Sequence, residues 1–370
     1  MVPFLDLRAQ YASLAADIDA ALGEVVASQQ FVLGPRVERF EKECGAWIGA
    51  RHSIGVASGT DALLLSLRAL ELPAGAEVIS PSFTFFATAG AIWNAGLRPA
   101  FADVDEVTFN LTRDTIEAAL TERTRAIVVV HLYGQMADME PIMELARERD
   151  LFVIEDVAQA FGARQRIGGD WRNAGTLAHA GAYSFFPTKI LGAYGDGGLV
   201  TSEDDAIADR VRKLRVHGGH QMYHHEMVGT NSRLDALQAA VLSVKLPHVA
   251  DWIRRRRAVA AAYDAGLAGA EHVVMPATTA GNEHVYNVYT IRAAGRDRLR
   301  EHLTGLGIGS SVYYPVPLHL QACFAELGGR RGQLPVSERL AKEVLSLPIY
   351  AEMTSDQVEE VCAAVRSAPA

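Results

Sequence analysis

Cysteine is scarce in this sequence, which has three in 370 residues. Cys44, Cys323 and Cys362 are far apart, so they lack the paired spacing of a disulfide framework or of a cysteine-bound zinc site. Proteins of a reducing compartment use cysteine in this sparing way. We therefore expect a cytoplasmic protein without structural disulfide bonds.

Long apolar runs and an excess of positive charge are also missing. No uninterrupted apolar stretch approaches the ~20 residues that span a bilayer, and Asp6 breaks the apolar run at the start of the chain. We expect neither a signal peptide nor a membrane span. The formal net charge of -9 argues against nucleic acid as the main partner. An anionic substrate would need a local pocket of cations or N–H groups.

Length and composition predict two domains. The sequence is 49% hydrophobic and 21% charged, as in soluble globular proteins, and 370 residues exceed the usual extent of one hydrophobic core. We predict a large domain in residues 1–245, with an N-terminal helix at 11–27, and a smaller domain in residues 246–370. In the smaller part, residues 284–292 alternate like a strand, and a helical pattern covers residues 336–345.

Apolar segments alternate with helical patterns between residues 77 and 154. The segment at 126–132, AIVVVHL, is apolar throughout, which is typical of a strand buried on both faces of a parallel sheet. Strands separated by helices indicate βαβ units, so we predict an α/β fold with a mostly parallel sheet between two layers of helices. In such sheets ligands bind beyond the carboxyl ends of the strands.

Polar residues stand at two of these predicted strand ends. The SGTD motif at residues 58–61 lies between a strand and a helix, where the unpaired N–H groups of a first helical turn bind anions. Taken alone, this motif is more typical of an ordinary helix cap. Asp156 follows the strand predicted at 151–154, so it either faces the same crevice or caps a following helix.

One lysine lies in a loop that is rich in glycine. Lys189 belongs to GAYSFFPTKILGAYGDGG at residues 181–198, between two apolar segments that have the pattern of strands. With Ser184 before it and glycines after it, the loop suits a ligand that bonds covalently to the lysine amine. For a lysine taken alone, an exposed position on a flexible hairpin is the alternative.

Four histidines, at positions 217, 220, 224 and 225, are close together in the sequence. A metal site is one interpretation of such a cluster, but the glycines among the histidines argue against it. We expect no metal.

Five motifs follow one another in the order and spacing of a single family. They are SGTDAL at Ser58, PSFTFFATA at Pro81, EDVAQAFGA at Glu155, SFFPTKILGAYGDGG at Ser184 and GTNSRLDALQAA at Gly229. Together they resemble the DegT/DnrJ family of pyridoxal-phosphate-dependent sugar-nucleotide aminotransferases. FLDLRAQY and YYPVPLHLQ extend the similarity to almost the whole chain. The resemblance implies a fold-type-I transferase, with a large three-layer α/β/α domain and a small C-terminal α/β domain.

The resemblance also implies roles for individual residues. Lys189 would bond covalently to pyridoxal 5'-phosphate and Asp156 would meet its ring nitrogen, which makes these two the predicted catalytic residues. The other implied cofactor contacts are Gly59, Thr60 and Ser184 at the phosphate, Phe85 on the ring, Gln159 near the ring hydroxyl, and Asn231, which reaches the phosphate site of the partner subunit. For Asn231 the alternative is a cap of the next helix. The implied substrate contacts are Arg233, Tyr314 and His319.

The reaction implied by the resemblance moves an amino group from glutamate onto a keto-sugar nucleotide, for amino-sugar and polysaccharide biosynthesis, in a homodimer with shared active sites. A 3-keto sugar is favoured, because YHHEMVGTNSRLD and YYPVPLHLQ resemble members that act on such sugars. A 4-keto-sugar aminotransferase is an alternative. Sugar dehydratases of the family replace the lysine with histidine, so Lys189 favours transamination.

A rival from another class is a non-catalytic regulator that keeps the cofactor site. A separate DNA-binding segment would be expected in such a protein, and the sequence has none. A Rossmann-type dehydrogenase is excluded, because no GxGxxG motif follows a predicted strand.

Overall fold

The computed structural model describes residues 1–368, which contain twelve α-helices and thirteen β-strands. The helices are α1 (Leu7–Ser28), α2 (Pro35–Ile48), α3 (Gly59–Ala69), α4 (Phe86–Asn94), α5 (Arg113–Glu117), α6 (Met139–Glu148), α7 (Asp205–Leu214), α8 (Ala236–Lys245), α9 (Val249–Gly266), α10 (Arg296–Gly305), α11 (Pro335–Glu343) and α12 (Ser355–Ser367). The strands are β1 (His52–Val56), β2 (Glu77–Pro81), β3 (Arg98–Ala102), β4 (Thr124–Val130), β5 (Phe152–Asp156), β6 (Arg164–Ile167), β7 (Asp170–Asn173), β8 (Ala180–Ser184), β9 (Gly198–Ser202), β10 (Val273–Val274), β11 (Asn282–Glu283), β12 (Tyr289–Ala293) and β13 (Val344–Leu347).

Seven strands form the central sheet, in the spatial order β1-β9-β8-β5-β4-β2-β3. Neighbours from β3 to β8 run parallel, whereas β9 runs antiparallel to both β8 and β1. All residues of β2 are buried, as expected of a strand that is covered on both faces. The predicted α/β fold with a mostly parallel sheet is confirmed.

Helices cover both faces of this sheet, because successive side chains of a strand point to opposite sides. In β4, Ala126 and Val128 pack in one hydrophobic core with α3, α4 and α7. Ile127 and Val129 pack in another core with α1, α2, α6 and α8. The sheet is therefore the middle of three layers.

The predicted N-terminal helix is present as α1, and it begins at Leu7 rather than at residue 11. The reason is a cap, since the Asp6 carboxylate accepts hydrogen bonds from the N–H groups of Arg8 (2.9 Å) and Ala9 (3.1 Å). The cap satisfies two N–H groups that have no acceptor within the helix. The helix can therefore begin among polar residues, before the apolar pattern that predicts it.

A second, antiparallel sheet with the order β10-β12-β13 packs against α10 and α12. Helix α9 contributes to two cores. Trp252 and Ile253 pack in the core of the central sheet that includes α1, and Val259 and Tyr263 pack in the core of the second sheet. The domain boundary predicted after residue 245 falls at the end of α8. It stays a prediction, since the core of the central sheet continues into α9.

Two predictions for the C-terminal part are wrong in their extent. The strand predicted at 284–292 begins only at Tyr289, because Tyr286 has a left-handed backbone conformation (φ 49°) that interrupts an extended chain. The helical pattern at 336–345 ends at Glu343, where the chain enters β13 without a turn. Apolar residues at such a junction fit a helix and a strand equally well, so their pattern does not show where one ends.

The three cysteines are free, with Cys44 and Cys362 buried and Cys323 exposed. Across residues 1–368, no helix has both the length and the apolar character to cross a membrane.

The start of β9 lies directly against the turn before α3. A Cβ atom added at Gly198 would stand 2.3 Å from the carbonyl oxygen of Ser58, and one added at Gly59 would stand 2.5 Å from the Cβ of Ser184. Because neither glycine carries a side chain, the first turn of α3 packs on the adjoining ends of β8 and β9. This contact fixes the N-terminus of α3 at the carboxyl edge of the sheet.

We predict that Gly198→Ala destabilises the protein by about 1–3 kcal/mol, the usual cost of forcing an extra carbon into a packed site. The control is Gly23→Ala inside α1, where an added Cβ meets no atom within 4 Å. Alanine is the better helix former, so this control should gain about 0.5–1 kcal/mol. Urea unfolding of the cofactor-free protein measures both changes, and a neutral Gly198→Ala would contradict the close approach.

Candidate active site

A cavity of about 450 Å³ opens at the carboxyl edge of the central sheet. The predicted site residues that line it are Gly59, Thr60, Phe85, Asp156, Gln159, Ser184, Lys189 and Tyr314. They come from distant parts of the sequence and meet because β4, β5 and β8 are neighbours whose carboxyl ends share one edge.

Asp156 is the last residue of β5 and is 5% exposed. Thr88 of α4 donates its hydroxyl to Oδ2 (2.9 Å), and the N–H of Ala158 donates to Oδ1 (3.1 Å). Burial raises the pKa of Asp156, while these hydrogen bonds and the charge of Lys189 oppose the rise. The alternative role as a helix cap is wrong, because β5 is followed by turns and then by β6. The carboxylate is thus fixed in the cavity, where it can pair with a cation.

Lys189 lies in the loop between β8 and β9. Its N–H donates to the carbonyl of Phe186 (2.9 Å), and the N–H of Ala193 donates to the carbonyl of Phe185 (2.7 Å), so the loop folds back on itself. Burial lowers the pKa of the Lys189 amine to about 8, and the charge of Asp156 works against this shift. A lysine with this pKa is roughly one-tenth neutral at pH 7, a much larger fraction than for an ordinary lysine, and the neutral amine is the nucleophile. The alternative of an exposed hairpin lysine is wrong.

The first turn of α3 forms an anion site beside Ser184. Ser58 is the N-cap, and its hydroxyl accepts the N–H of Asp61 (3.1 Å). The preceding N–H groups, of Gly59 and Thr60, have no acceptor within the helix and stay available to a ligand. Together with the adjacent hydroxyls of Thr60 and Ser184 and the positive end of the helix dipole, they suit a phosphate dianion.

Gln159 and Tyr314 form a hydrogen-bonded pair in the cavity wall. Gln159 accepts the N–H of Tyr133 on Oε1 (2.7 Å) and donates from Nε2 to the Tyr314 hydroxyl (3.0 Å). The ring of Phe85 lies 5.9 Å from that of Tyr314, between centroids, and is 57% exposed. An uncovered aromatic face of this kind can stack on a flat heteroaromatic ring.

Thr88 and Tyr133 each hydrogen-bond to a predicted site residue but are themselves absent from the prediction. Thr88 lies within the PSFTFFATA motif, which was the available signal for it. Tyr133 contacts Gln159 through its backbone, in a left-handed conformation (φ 61°), and its hydroxyl donates to the carbonyl of Tyr313. Residue type alone does not reveal a contact made by the backbone.

Asn231 does not reach the cavity of its own chain. It is exposed and pairs through its backbone with Val216 in an isolated β-bridge. The alternative role as a helix cap is wrong, because α8 begins at Ala236 with Asp235 at the N-cap. The side chain of Asn231 therefore has neither predicted contact within one chain.

Arg233 lies in a separate surface groove. Within residues 1–368 its side chain makes no hydrogen bond or ion pair. The cationic and imidazole residues of this arginine groove are Arg212, Arg215, His217, His220, His225 and Arg233. In the described part of the chain, no group of three or more His, Cys, Asp or Glu is placed to hold a metal ion.

His319 is 3% exposed and lies outside the cavity, contrary to its predicted substrate contact. Its Nδ1 is 2.6 Å from the hydroxyl oxygen of Ser82, and its Nε2 is 3.3 Å from a carboxylate oxygen of Glu338. Both ring nitrogens are thus engaged with protein groups. The residue fastens the loop that carries Tyr314 to the end of β2 and to α11.

Comparison with known proteins agrees with this geometry. The model of the DegT/DnrJ/EryC1/StrS aminotransferase family matches residues 12–366. A protein named "Pleiotropic regulatory protein", from Geobacillus stearothermophilus, is 49% identical, covering 97% of this chain and 96% of its own. The UDP-N-acetyl-3-dehydro-alpha-D-glucosamine 3-aminotransferase of Acidithiobacillus ferrooxidans is 44% identical, covering 99% and 97%. The crystal structure of S. venezuelae DesV in complex with a ketimine intermediate superimposes with a TM-score of 0.95, at 44% identity over 99% and 97% of the two chains.

We predict that Lys189 becomes more reactive as the pH rises through about 8, because the amine loses its proton in that range. Cofactor-free protein mixed with pyridoxal 5'-phosphate in a stopped-flow spectrometer reports the rate of covalent bond formation, which is predicted to occur at Lys189. The charge of Asp156 raises the pKa of Lys189, so Asp156→Asn should move the midpoint to lower pH. A midpoint near that of an ordinary lysine would contradict the buried position of the amine.

Proposed function

Since the chain belongs to the DegT/DnrJ/EryC1/StrS aminotransferase family, we propose that it moves an amino group from glutamate onto a 3-keto sugar carried by a nucleotide. The observation that supports this most directly is the meeting of Lys189, Asp156 and the first turn of α3 in one cavity. The cofactor is pyridoxal 5'-phosphate, which supplies an electron sink for the carbon that exchanges its amino group. We place the reaction in the cytoplasm, where free cysteines stay reduced.

The cavity residues fit the parts of this cofactor. The N–H groups of Gly59 and Thr60 and the hydroxyl of Ser184 would hold the phosphate. Asp156 would keep the ring nitrogen protonated, because a buried carboxylate beside that nitrogen raises its pKa. Phe85 would cover one face of the ring.

Lys189 would have two tasks in this reaction. Its amine, whose pKa burial lowers, would hold the cofactor covalently. The same amine would carry a proton at the carbon that exchanges its amino group. Gln159, held by Tyr133 and Tyr314, would contact the ring hydroxyl.

The substrate class is inferred from the relatives and from the retained lysine. The relative from A. ferrooxidans is named for a 3-dehydro sugar nucleotide, which favours a 3-keto over a 4-keto substrate. Lys189 favours transamination over dehydration. The relative from G. stearothermophilus is named for regulation, so a regulator that keeps its cofactor site is the second candidate. Such a regulator would retain the same Lys189, Asp156 and phosphate-binding groups, so turnover of a sugar nucleotide is what separates the two candidates.

The cavity of one chain is poor in cations for a substrate that carries a diphosphate. Among the described residues that line it, Lys189 is the cationic one, whereas Asp156 and Asp196 are acidic. The arginine groove bears exposed apolar side chains as well, with Tyr223 87% and Val228 82% exposed. Such a surface suits contact with another protein. We propose a homodimer in which Asn231 and Arg233 of one subunit complete the active site of the other.

The proposed reaction predicts amination at the third carbon of the sugar. Incubation with glutamate and a panel of 3-keto and 4-keto sugar nucleotides, followed by mass spectrometry and NMR of the product, should yield a 3-amino sugar. Lys189→Ala should abolish the product and the visible absorption of the bound cofactor, while Lys42→Ala on the exposed face of α2 should change neither. A 4-amino product would contradict the substrate assignment. Tight cofactor binding without turnover of any sugar would favour a regulator.

The proposed sharing of sites predicts that two damaged subunits rescue each other. Lys189→Ala and the double variant Asn231→Ala, Arg233→Ala should each have little activity alone. When equal amounts of the two variants exchange subunits, about half of the dimers are mixed, and one of the two sites in each mixed dimer combines an intact Lys189 with an intact Asn231 and Arg233 from the partner. About a quarter of the normal activity should therefore return. If both sets of residues served the same subunit's site, mixing would restore nothing.

A further inference from the structure

A second lysine, Lys245, is buried next to the Lys189 loop. It is the last residue of α8 and is 2% exposed. Its ammonium group makes one hydrogen bond, from Nζ to the carbonyl of Gly192 (2.7 Å), and lies 4.9 Å from the centre of the Tyr194 ring. No carboxylate among residues 1–368 lies within ion-pair distance of it, and the charge of Glu352 acts on it from farther away. A buried charge with so few partners destabilises the folded protein. The presence of the ammonium at this cost indicates that it has a role.

The same face of α8 makes a second contact with this loop. Gln238 precedes Lys245 by about two helical turns, so the two side chains point the same way. Gln238 accepts the N–H of Tyr194 on Oε1 (2.8 Å) and donates from Nε2 to the Tyr194 carbonyl (3.4 Å). Helix α8 thus holds the backbone of the loop at two points, a few residues after Lys189.

The neighbours of Gly192, Leu191 and Ala193, are buried in the hydrophobic core, whereas Gly192 itself is held through its backbone. Gly192 has no side chain, and a Cβ atom added there would stand 2.4 Å from the carbonyl oxygen of Pro187. Its position is therefore set through its backbone, and the ammonium of Lys245 is the group that binds the Gly192 carbonyl. A charged donor makes a stronger hydrogen bond than a neutral one.

We propose that Lys245 is a positioning residue whose buried ammonium, together with Gln238, fixes the loop so that the Lys189 amine points into the cavity. The proposal rests on the covalent role proposed for Lys189 and adds how that amine is held. Burial lowers the pKa of Lys245 to about 8, so its charge is retained at neutral pH. A competing interpretation is that Lys245 only complements the helix dipole, as lysines in a last helical turn commonly do.

The test compares Lys245→Met with Lys342→Met, which removes an exposed lysine from the last turn of α11. In Lys245→Met the melting temperature of the cofactor-free protein should stay the same or rise, because a buried charge without an ion pair is replaced by an apolar chain. The rate of covalent bond formation between Lys189 and added pyridoxal 5'-phosphate should fall at least about tenfold, as for a nucleophile displaced by a fraction of an ångström to an ångström. In the half-reaction with glutamate alone, the maximal rate should fall without a rise in the glutamate concentration that gives half of it. Lys342→Met should leave the bond-formation rate unchanged.

An unchanged rate of bond formation in Lys245→Met would overturn the proposal, whatever the melting temperature of the variant. If Lys245→Met does not fold, Gln238→Ala replaces it, since that variant loses only neutral hydrogen bonds and should also slow bond formation. A normal rate in Gln238→Ala would then reject the proposal. These measurements use no sugar, so they hold even if the substrate assignment fails. Covalent attachment that survives Lys189→Ala would contradict the role of Lys189 itself.

Discussion

The burial of two opposite charges in one cavity, on Asp156 and Lys189, is the constraint on which the rest of the structure depends. Strands β5 and β8 are parallel neighbours, and their register pairs Asp156 with Ala182, so the carboxylate stands beside the point where the lysine loop leaves the sheet. Each charge moderates the effect of burial on the other: Lys189 opposes the rise in the pKa of Asp156, and Asp156 opposes the fall in the pKa of Lys189. The exclusion of water that shifts both pKa values also strengthens the attraction between the two charges, so the attraction offsets part of the effect of burial.

The features of the site that could be predicted from the sequence are those that a parallel sheet places at one edge. Asp156 and Lys189 stand at or after strand ends, and the SGTD motif at 58–61 joins a strand to a helix, so the α/β pattern alone brings them together. Their chemical roles came from the family motifs around them. Both interpretations of the SGTD motif agree with the structure, since Ser58 caps α3 while Gly59 and Thr60 line the cavity.

The features that could not be predicted depend on packing between distant segments. His319 stands in a loop with tyrosines and prolines, and only the folded chain shows that Ser82 and Glu338 bury its ring. In the sequence, nothing distinguishes Lys245 from an ordinary polar residue at a helix end. Only the folded chain shows that the loop carrying Lys189 packs against it. Contacts of this kind join residues that no local pattern relates, and they decide whether a polar side chain meets a ligand or a neighbouring part of the protein.

Charge also limits how two different substrates can use the same cavity. The net charge of -9 repels anions, and screening confines electrostatic effects to ~8 Å at physiological ionic strength, so substrates must be selected by contact. In the arginine groove, Arg215 is paired with Glu41 and Arg212 contacts His52, which leaves Arg233 as the guanidinium without a partner in residues 1–368. A guanidinium can bind two phosphate oxygens at once, which suits a nucleotide diphosphate. In the proposed dimer, the second subunit would therefore supply the recognition of the sugar nucleotide, while Lys189 and Asp156 serve glutamate and sugar alike.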